Sequence, residues 1–199
     1  MAKFEYNFLT VNYKFFVMAI LLLENGIVES DLSEIVRELA PVGVYLKHYE
    51  PGTSLLFANL LEQDVLNAFE KDYIVDLHNS VFEFLQQENG SLWCDLLNVH
   101  PGVPNLKMLL DTYSRYHTHT AAEPLYVLAG EMIFGFVRPD GSQIQLLVQS
   151  QDYISIPAGV EHWCSLTAAL KFKAVRYFPS AEGWVPNYTG TQLSDSLNK

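Results

Sequence analysis

The chain has 199 residues, of which 49% are hydrophobic and 18% charged, and its formal net charge at pH 7 is −11. This composition is typical of one globular domain and excludes a disordered chain. The acidic balance, without any cluster of Lys and Arg, excludes nucleic acid as a partner and disfavours binding to an anionic membrane surface.

Helix and strand patterns alternate in the first half of the chain. Asp31 and Glu34 form a capping-box signature at the start of a helix, and Gly90 is suited to the left-handed cap that ends another. The predicted elements are a strand over residues 20–23, a helix from residue 31 to Pro41, a strand over 42–49, a long helix over 62–87 that divides near residue 72, a strand over 93–99 and a short helix from Pro104.

Strand patterns dominate the second half. Runs over 132–137, 143–148 and 152–157 are typical of strands, and residues 139–142 predict a hairpin turn. Strands joined by tight turns indicate a closed or sandwiched β-structure, in which inward side chains can converge on one point. We therefore expect a mainly β fold with flanking helices (α+β).

A metal-binding pattern lies in this β-rich half. His117 and His119 are one residue apart, so on a strand they point to the same face. Glu123 and His162 can join them from a turn and from a distant strand. Imidazole and carboxylate suit iron, nickel, manganese or zinc, and four such ligands leave two positions of an octahedral ion open for a chelating molecule. His48, His78 and His100 lack ligand spacing and are expected to be satisfied polar residues.

The segments HTHTAAE, PAGVEHW, FKAVRYF and EGWVPNYTG, in this order, resemble the acireductone dioxygenase family of the cupin superfamily. The resemblance extends upstream through GSLWCDLLNVHPGVPNLKMLLDTYSRY and PVGVYLKHY, so it spans about residues 18–190. It implies a cupin-type double-stranded β-helix, or jelly-roll barrel. It also implies that His117, His119, Glu123 and His162 hold one Fe²⁺ or Ni²⁺ ion per chain.

The same resemblance implies the reaction. Acireductone, 1,2-dihydroxy-5-(methylthio)pent-1-en-3-one, would be cleaved with O₂ to 4-methylthio-2-oxobutanoate and formate in methionine salvage. The nickel form would give 3-(methylthio)propanoate, formate and CO. The family's pocket residues fall on Tyr113, Tyr126, Arg176 and Trp184. Cys164 lies two residues beyond His162, so it is either a pocket-lining thiol or a small buried hydrophobe.

Three positions depart from the family's pattern. Leu125 stands where an arginine that holds the substrate is usual, Cys164 where an aromatic residue is frequent, and Tyr116 where an acidic residue is common. Arg176 or Arg115 could take over part of the arginine's role. Two alternatives stay open: another metal-dependent cupin dioxygenase or isomerase with a different chelating substrate, and a non-catalytic metal- or sugar-binding cupin.

The domain organisation is expected to be simple. Residues 1–17 form an extension that either precedes a true start at Met18 or adds a strand or arm. Residues 18–190 form one domain, with a helix-containing part over 18–112 and the metal-binding barrel over 113–190. The polar tail 191–199 is expected to be loose. Cys94 and Cys164 suggest no disulfide framework, which favours a reducing, cytoplasmic setting. The apolar run 15–23 is too short to span a bilayer, and we expect a monomer that meets only its substrate and O₂.

Overall fold

The structure, a computed structural model, describes residues 18–49 and 55–197, so the predicted extension over 1–17 lies outside the described residues. The strands are β1 Ile20–Leu23, β2 Val28–Glu29, β3 Tyr45–His48, β4 Trp93–Val99, β5 His117–Thr118, β6 Glu123–Gly130, β7 Met132–Val137, β8 Gln143–Val148, β9 Asp152–Ile156, β10 His162–Leu166, β11 Phe172–Phe178 and β12 Asn187–Tyr188. The helices are α1 Leu32–Leu39, α2 Leu55–Glu62, α3 Ala68–Asp76, α4 Asn79–Asn89 and α5 Leu106–Tyr113, and a 3-10 turn spans Ala40–Val42.

The strands form two antiparallel sheets that pack face to face. The seven-stranded sheet has the order β12-β5-β10-β7-β8-β1-β2, and the five-stranded sheet has the order β3-β9-β6-β11-β4. Residues from both sheets, among them Phe134, Leu146, Val127 and Ile154, are buried together in the main core between them. This arrangement confirms the predicted mainly β fold with flanking helices.

The five-stranded sheet has a second buried side. Side chains alternate along a strand, so every other residue points away from the main core. Tyr126, Leu128, Val175 and Tyr177 point that way and pack with residues of α2, α3 and α4, such as Ile74. We call this side of the sheet the helix face.

The helix predicted over 62–87, with a division near residue 72, is two helices, α3 and α4: the break between them falls at Leu77 and His78, and residues 63–67 before α3 are not helical. Asn67 starts a new helix because it makes a full capping box with Glu70: the Glu70 backbone N–H donates to Asn67 Oδ1 (3.0 Å), and the Asn67 N–H donates to Glu70 Oε2 (2.8 Å). The predicted caps at Asp31 and Gly90 are confirmed, the latter with φ 67°. Glu34 pairs with Arg37 instead of closing a box.

The polar tail is not loose over its described part, residues 191–197. Gln143 and Gln145 are buried on the outer side of β8 and need partners for their amides. Gln143 Nε2 donates to the Gln192 carbonyl (2.8 Å), its Oε1 accepts from Ser194 N–H (2.8 Å), and Gln145 Nε2 donates to the Leu197 carbonyl (3.3 Å). The tail thus covers the outer face of the seven-stranded sheet. No helix within the described residues is long and apolar enough to cross a membrane.

Candidate metal centre

The two short strands at one end of the seven-stranded sheet bring the predicted ligands together. His117 begins β5 and His162 begins β10, and the two residues are direct partners in the β5–β10 ladder. His119 follows β5, and Glu123 begins β6 in the other sheet. One ring nitrogen from each of the three histidines lies within 4.8 Å of the others. Their exposed fractions are 0%, 3% and 1%, so the structure contains a buried site of three histidines that can hold a metal ion.

Backbone carbonyls orient all three rings. Each Nδ1 contacts a carbonyl oxygen: Arg115 for His117 (2.7 Å), Val185 for His119 (2.9 Å) and Val160 for His162 (2.9 Å). A carbonyl can only accept, so each Nδ1 carries the hydrogen and donates it. The Nε2 atom of each neutral ring is then a bare electron pair, which is the form that binds a metal.

Glu123 faces these electron pairs. Its Oε2 lies 3.1 Å from His119 Nε2 and 3.1 Å from His162 Nε2. In the described part of the chain, the Nε2 atoms of His117 and His119 have no hydrogen-bond partner. A carboxylate and bare imidazole nitrogens repel one another at this distance unless a proton or a metal cation lies between them. The donor set therefore fits a divalent metal ion.

The protonation states agree with this interpretation. Burial lowers the pKa of His117 to about 4, so its ring is neutral near pH 7. Burial works to raise the pKa of Glu123, but hydrogen bonds with the rings of His119 and His162 outweigh it and bring that pKa to about 2. Burial works to lower the pKa of His119, but its contact with Glu123 outweighs this and raises it, so without a metal a proton can take the place of the cation between ring and carboxylate. A charged carboxylate and a neutral ring are both ready to bind a metal.

An elongated cavity of about 60 Å³ opens beside Glu123. Its wall is mainly apolar, and the residues that line it are Leu97, Val99, Leu109, Leu110, Tyr113, Glu123, Leu125, Met132, Cys164, Ser165, Leu166, Arg176 and Trp184. We call the side of the five-stranded sheet that contributes to this wall the cavity face. Four of the predicted pocket residues, Tyr113, Cys164, Arg176 and Trp184, are among them.

The predicted place of Tyr126 in the substrate pocket is corrected by the structure, in which Tyr126 lies on the helix face and not in the cavity. Tyr126 is three residues from Glu123 on the same strand, and an odd separation puts two strand residues on opposite faces. Its ring lies 5.4 Å from that of His78, and its hydroxyl donates to the Tyr49 carbonyl (3.4 Å). The prediction took Tyr126 from the resemblance without testing its place in the alternation.

Cys164 follows the regular alternation of β10 and lines the cavity, as the spacing from His162 predicted. Burial, followed by the nearby charge of Glu123, raises the pKa of its thiol well above the ordinary value. Near neutral pH, Cys164 is thus a neutral thiol rather than a thiolate. It contributes a small, weakly polar patch to the wall.

Of the two arginines considered as replacements at Leu125, only Arg176 reaches the cavity. Arg176 is the direct partner of Leu125 in the β6–β11 ladder, and the two side chains share the cavity face. Arg115 instead lies over the ring of Tyr188, with its guanidinium carbon 3.7 Å from the ring centre.

Sequence reasoning missed two contributors. Asp95 forms a bidentate ion pair with Arg176. The sequence did indicate that Asp95 needs a partner. Asp95 shares the cavity face of β4 with Leu97 and Val99, and a charge on an apolar strand face needs a partner. The Val185 carbonyl, which orients His119, has no sequence signal, since every residue carries a carbonyl.

Comparisons with known proteins agree with this geometry. The model of the ARD/ARD′ family matches residues 55–186. Acireductone dioxygenase of Nostoc sp. (strain PCC 7120) is 77% identical over 182 residues, which cover 92% of this chain and 100% of the relative. That of Trichodesmium erythraeum is 46% identical over 176 residues, covering 88% and 97%.

A solved structure supports the fold. Acireductone dioxygenase from Bacillus anthracis, with a cadmium ion in its active centre, superimposes with a TM-score of 0.79 at 24% identity, covering 87% of this chain and 100% of that one. This likeness confirms the fold, and the sequence matches above give the family. The chain belongs to the acireductone dioxygenase (ARD/ARD′) family.

Proposed function

We propose that the protein cleaves acireductone with O₂ to 4-methylthio-2-oxobutanoate and formate, as an enzyme of methionine salvage. The observation that carries this function is the 77% identity along the full length of a relative named acireductone dioxygenase. The buried site of three histidines beside a cavity supplies the machinery that such a reaction needs.

His117, His119, Glu123 and His162 would hold the metal. The support is chemical: three imidazole rings and one carboxylate converge on one point, and carbonyls hold the rings in the metal-binding tautomer. The Bacillus anthracis relative, which has the same fold, holds a cadmium ion in its active centre. When bound, a divalent ion would act as a Lewis acid and template for the two neighbouring substrate oxygens.

The cavity wall would receive the rest of the substrate. Leu97, Leu125 and Leu166 offer apolar surface for a methylthio tail, since burial of each CH₂ group is worth about 0.8 kcal/mol. Arg176 is the one basic side chain that lines the cavity in the described part of the chain, and it would offset the charge of a deprotonated enediol. A mainly apolar wall also limits the access of bulk water to a reactive anion.

We infer that Fe²⁺ is the metal for the reaction that yields the 2-oxo acid, and that Ni²⁺ would give 3-(methylthio)propanoate, formate and CO. The donor set suits both ions, so the choice follows supply and small geometric differences. The cytoplasmic location and the monomeric state stay predictions of the sequence.

The test is a metal-reconstitution assay. The protein is made metal-free, loaded without oxygen with Fe²⁺ or Ni²⁺, and mixed with acireductone and O₂. Loss of acireductone absorbance and the products are then followed against the metal-free control. We expect formate with the 2-oxo acid for iron, and formate with CO for nickel. Bound iron without turnover above the control would show that the substrate is a different chelating molecule.

A further inference from the structure

The guanidinium of Arg176 is held from one side by Asp95. Arg176 Nε donates to Asp95 Oδ1 (2.8 Å), and Nη2 donates to Asp95 Oδ2 (2.6 Å). The two residues are direct partners in the antiparallel ladder between β11 and β4. The ion pair is therefore fixed by strand register as well as by charge, and both planar groups meet in the bidentate geometry that gives the strongest contact.

Two aromatic rings limit the remaining freedom of this guanidinium. Its carbon lies 5.1 Å from the ring centre of Phe178 and 5.6 Å from that of Trp184. Both rings are themselves fixed: Phe178 stacks on Trp93 at 3.8 Å, and Trp184 Nε1 donates to the Ala122 carbonyl (3.2 Å). The guanidinium plane is thus set before any substrate arrives, and pre-organised donors lose less entropy on binding.

The pair leaves one edge of Arg176 available. Nε and one N–H of Nη2 are used by Asp95, so Nη1 and the second N–H of Nη2 are left to other acceptors. Within the described residues, no acceptor bonds to Nη1. Arg176 lines the cavity together with Glu123, so the two side chains border the same space.

We propose that Asp95 is a positioning residue of the reaction. Its carboxylate fixes Arg176 in one orientation. In that orientation, the free N–H groups of Nη1 and Nη2 are directed at an anionic oxygen of the bound enediol. This proposal rests on the proposed function, because it needs an anionic substrate in the cavity. Asp95 itself does not touch the substrate, and its whole effect passes through Arg176.

Steady-state kinetics of the iron-loaded enzyme test this role. The set is the wild type, Asp95→Ala, Asp95→Asn, Arg176→Ala and the double variant Asp95→Ala/Arg176→Ala. We expect Asp95→Ala to raise KM for acireductone about tenfold with kcat within about threefold, because a charge-assisted contact present in both ground and transition states is weakened. Asp95→Asn keeps one acceptor for Nε and should rescue part of this loss.

The double variant separates positioning from a general structural role. In the Arg176→Ala background, Asp95→Ala should change KM by less than about twofold, since the two residues act as one unit. Asp64→Ala is the matched control. Asp64 also pairs with a basic residue, Lys171 (2.7 Å), which directly precedes β11, but this pair lies outside the cavity, so KM should stay at the wild-type value.

The outcomes distinguish a failure of the positioning role of Asp95 from a failure of the proposed function. An active wild type whose KM is unchanged by Asp95→Ala overturns the positioning role alone. So does an Asp95→Ala effect that is equally large with and without Arg176. An iron-loaded wild type that does not consume acireductone overturns the proposed function, and the positioning role falls with it.

Discussion

The two faces of the five-stranded sheet are built from the same strands, but one lines a cavity and the other packs against helices. On β6, Glu123 and Leu125 belong to the cavity face, whereas Tyr126 and Leu128 belong to the helix face. The cavity face leaves open space and keeps its charges in pairs. The helix face is filled by tyrosine rings and covered by α2, α3 and α4.

Buried histidines show the same contrast. His119 has an Nε2 atom without a hydrogen-bond partner among the described residues, directly beside a carboxylate. His78, on the helix face, has its Nδ1 bonded to the Ile74 carbonyl (2.8 Å) and its ring against Tyr126. Along β6, alternation separates the cavity wall from the packed helix face by a single peptide unit, between Leu125 and Tyr126, so substitutions on the two faces should have separable effects.

The largest separation is expected for these two histidines. His119→Ala should abolish retention of the metal and lower activity by more than about a hundredfold, because even the outer partners of metal ligands are worth 10–100-fold. His78→Ala should keep one metal ion per chain but lose about 2–3 kcal/mol of unfolding free energy, through lost packing and a lost hydrogen bond. Metal content after dialysis and urea unfolding measure the two effects. Stoichiometric metal in His119→Ala would show that the ligand assignment is wrong.

A pair of leucines on β6 tests the contrast without any polar group. Leu128→Ala on the helix face should cost about 2–5 kcal/mol of unfolding free energy, because the rings around it cannot close the gap. Its KM for acireductone should stay within about twofold of the wild type. Leu125→Ala widens the existing cavity instead, and should raise KM by roughly 10-fold through lost contact with the substrate. Equal KM values for the two variants would contradict the division between the faces.

A pair of tyrosines should give a smaller effect. Tyr113→Phe removes a hydroxyl that donates to the carbonyl of Trp184 (3.4 Å), another residue of the cavity wall, and the loss of one neutral hydrogen bond there corresponds to about a threefold to tenfold rise in KM. Tyr126→Phe removes a hydroxyl that contacts only the Tyr49 carbonyl, so KM should not change. Steady-state kinetics with the iron-loaded variants measure both. If KM rose in Tyr126→Phe and not in Tyr113→Phe, Tyr126 would contact the substrate and its assignment to the helix face would be wrong.

Local patterns were enough to predict several strands and the convergence of the three histidines. The strands β7 and β8 have the predicted bounds, because their alternation and the tight turn between them are encoded within a few residues. The histidines meet because His119 follows directly after β5, which begins at His117, and because β5 pairs with β10 at His162.

What could not be predicted depends on contacts between distant segments. The ion pair of Asp95 with Arg176 requires that β4 lies beside β11, which no local pattern states. The fixed tail requires that Gln143 and Gln145 are buried on an outer sheet face, where a segment far along the chain supplies partners for their amides. Tyr126 differs from these, since counting from Glu123 would have placed it on the helix face.

The smallest expected effect concerns how the helix face responds to acid. Burial lowers the pKa of His78 below its ordinary value of 6.5, and this outweighs the bond to the Ile74 carbonyl, which raises it. The unfolded chain therefore binds a proton on His78 near pH 6.5, whereas the folded protein binds it only at a lower pH. Stability is complete above that pH and falls as the pH drops through it.

His78→Phe keeps a ring in the same packing and removes this titration. The difference in Tm between the wild type and His78→Phe should therefore shift in favour of the variant between pH 7.5 and pH 5.5, measured on metal-free protein. Parallel Tm curves across this range would mean that His78 takes up its proton equally well in the folded state.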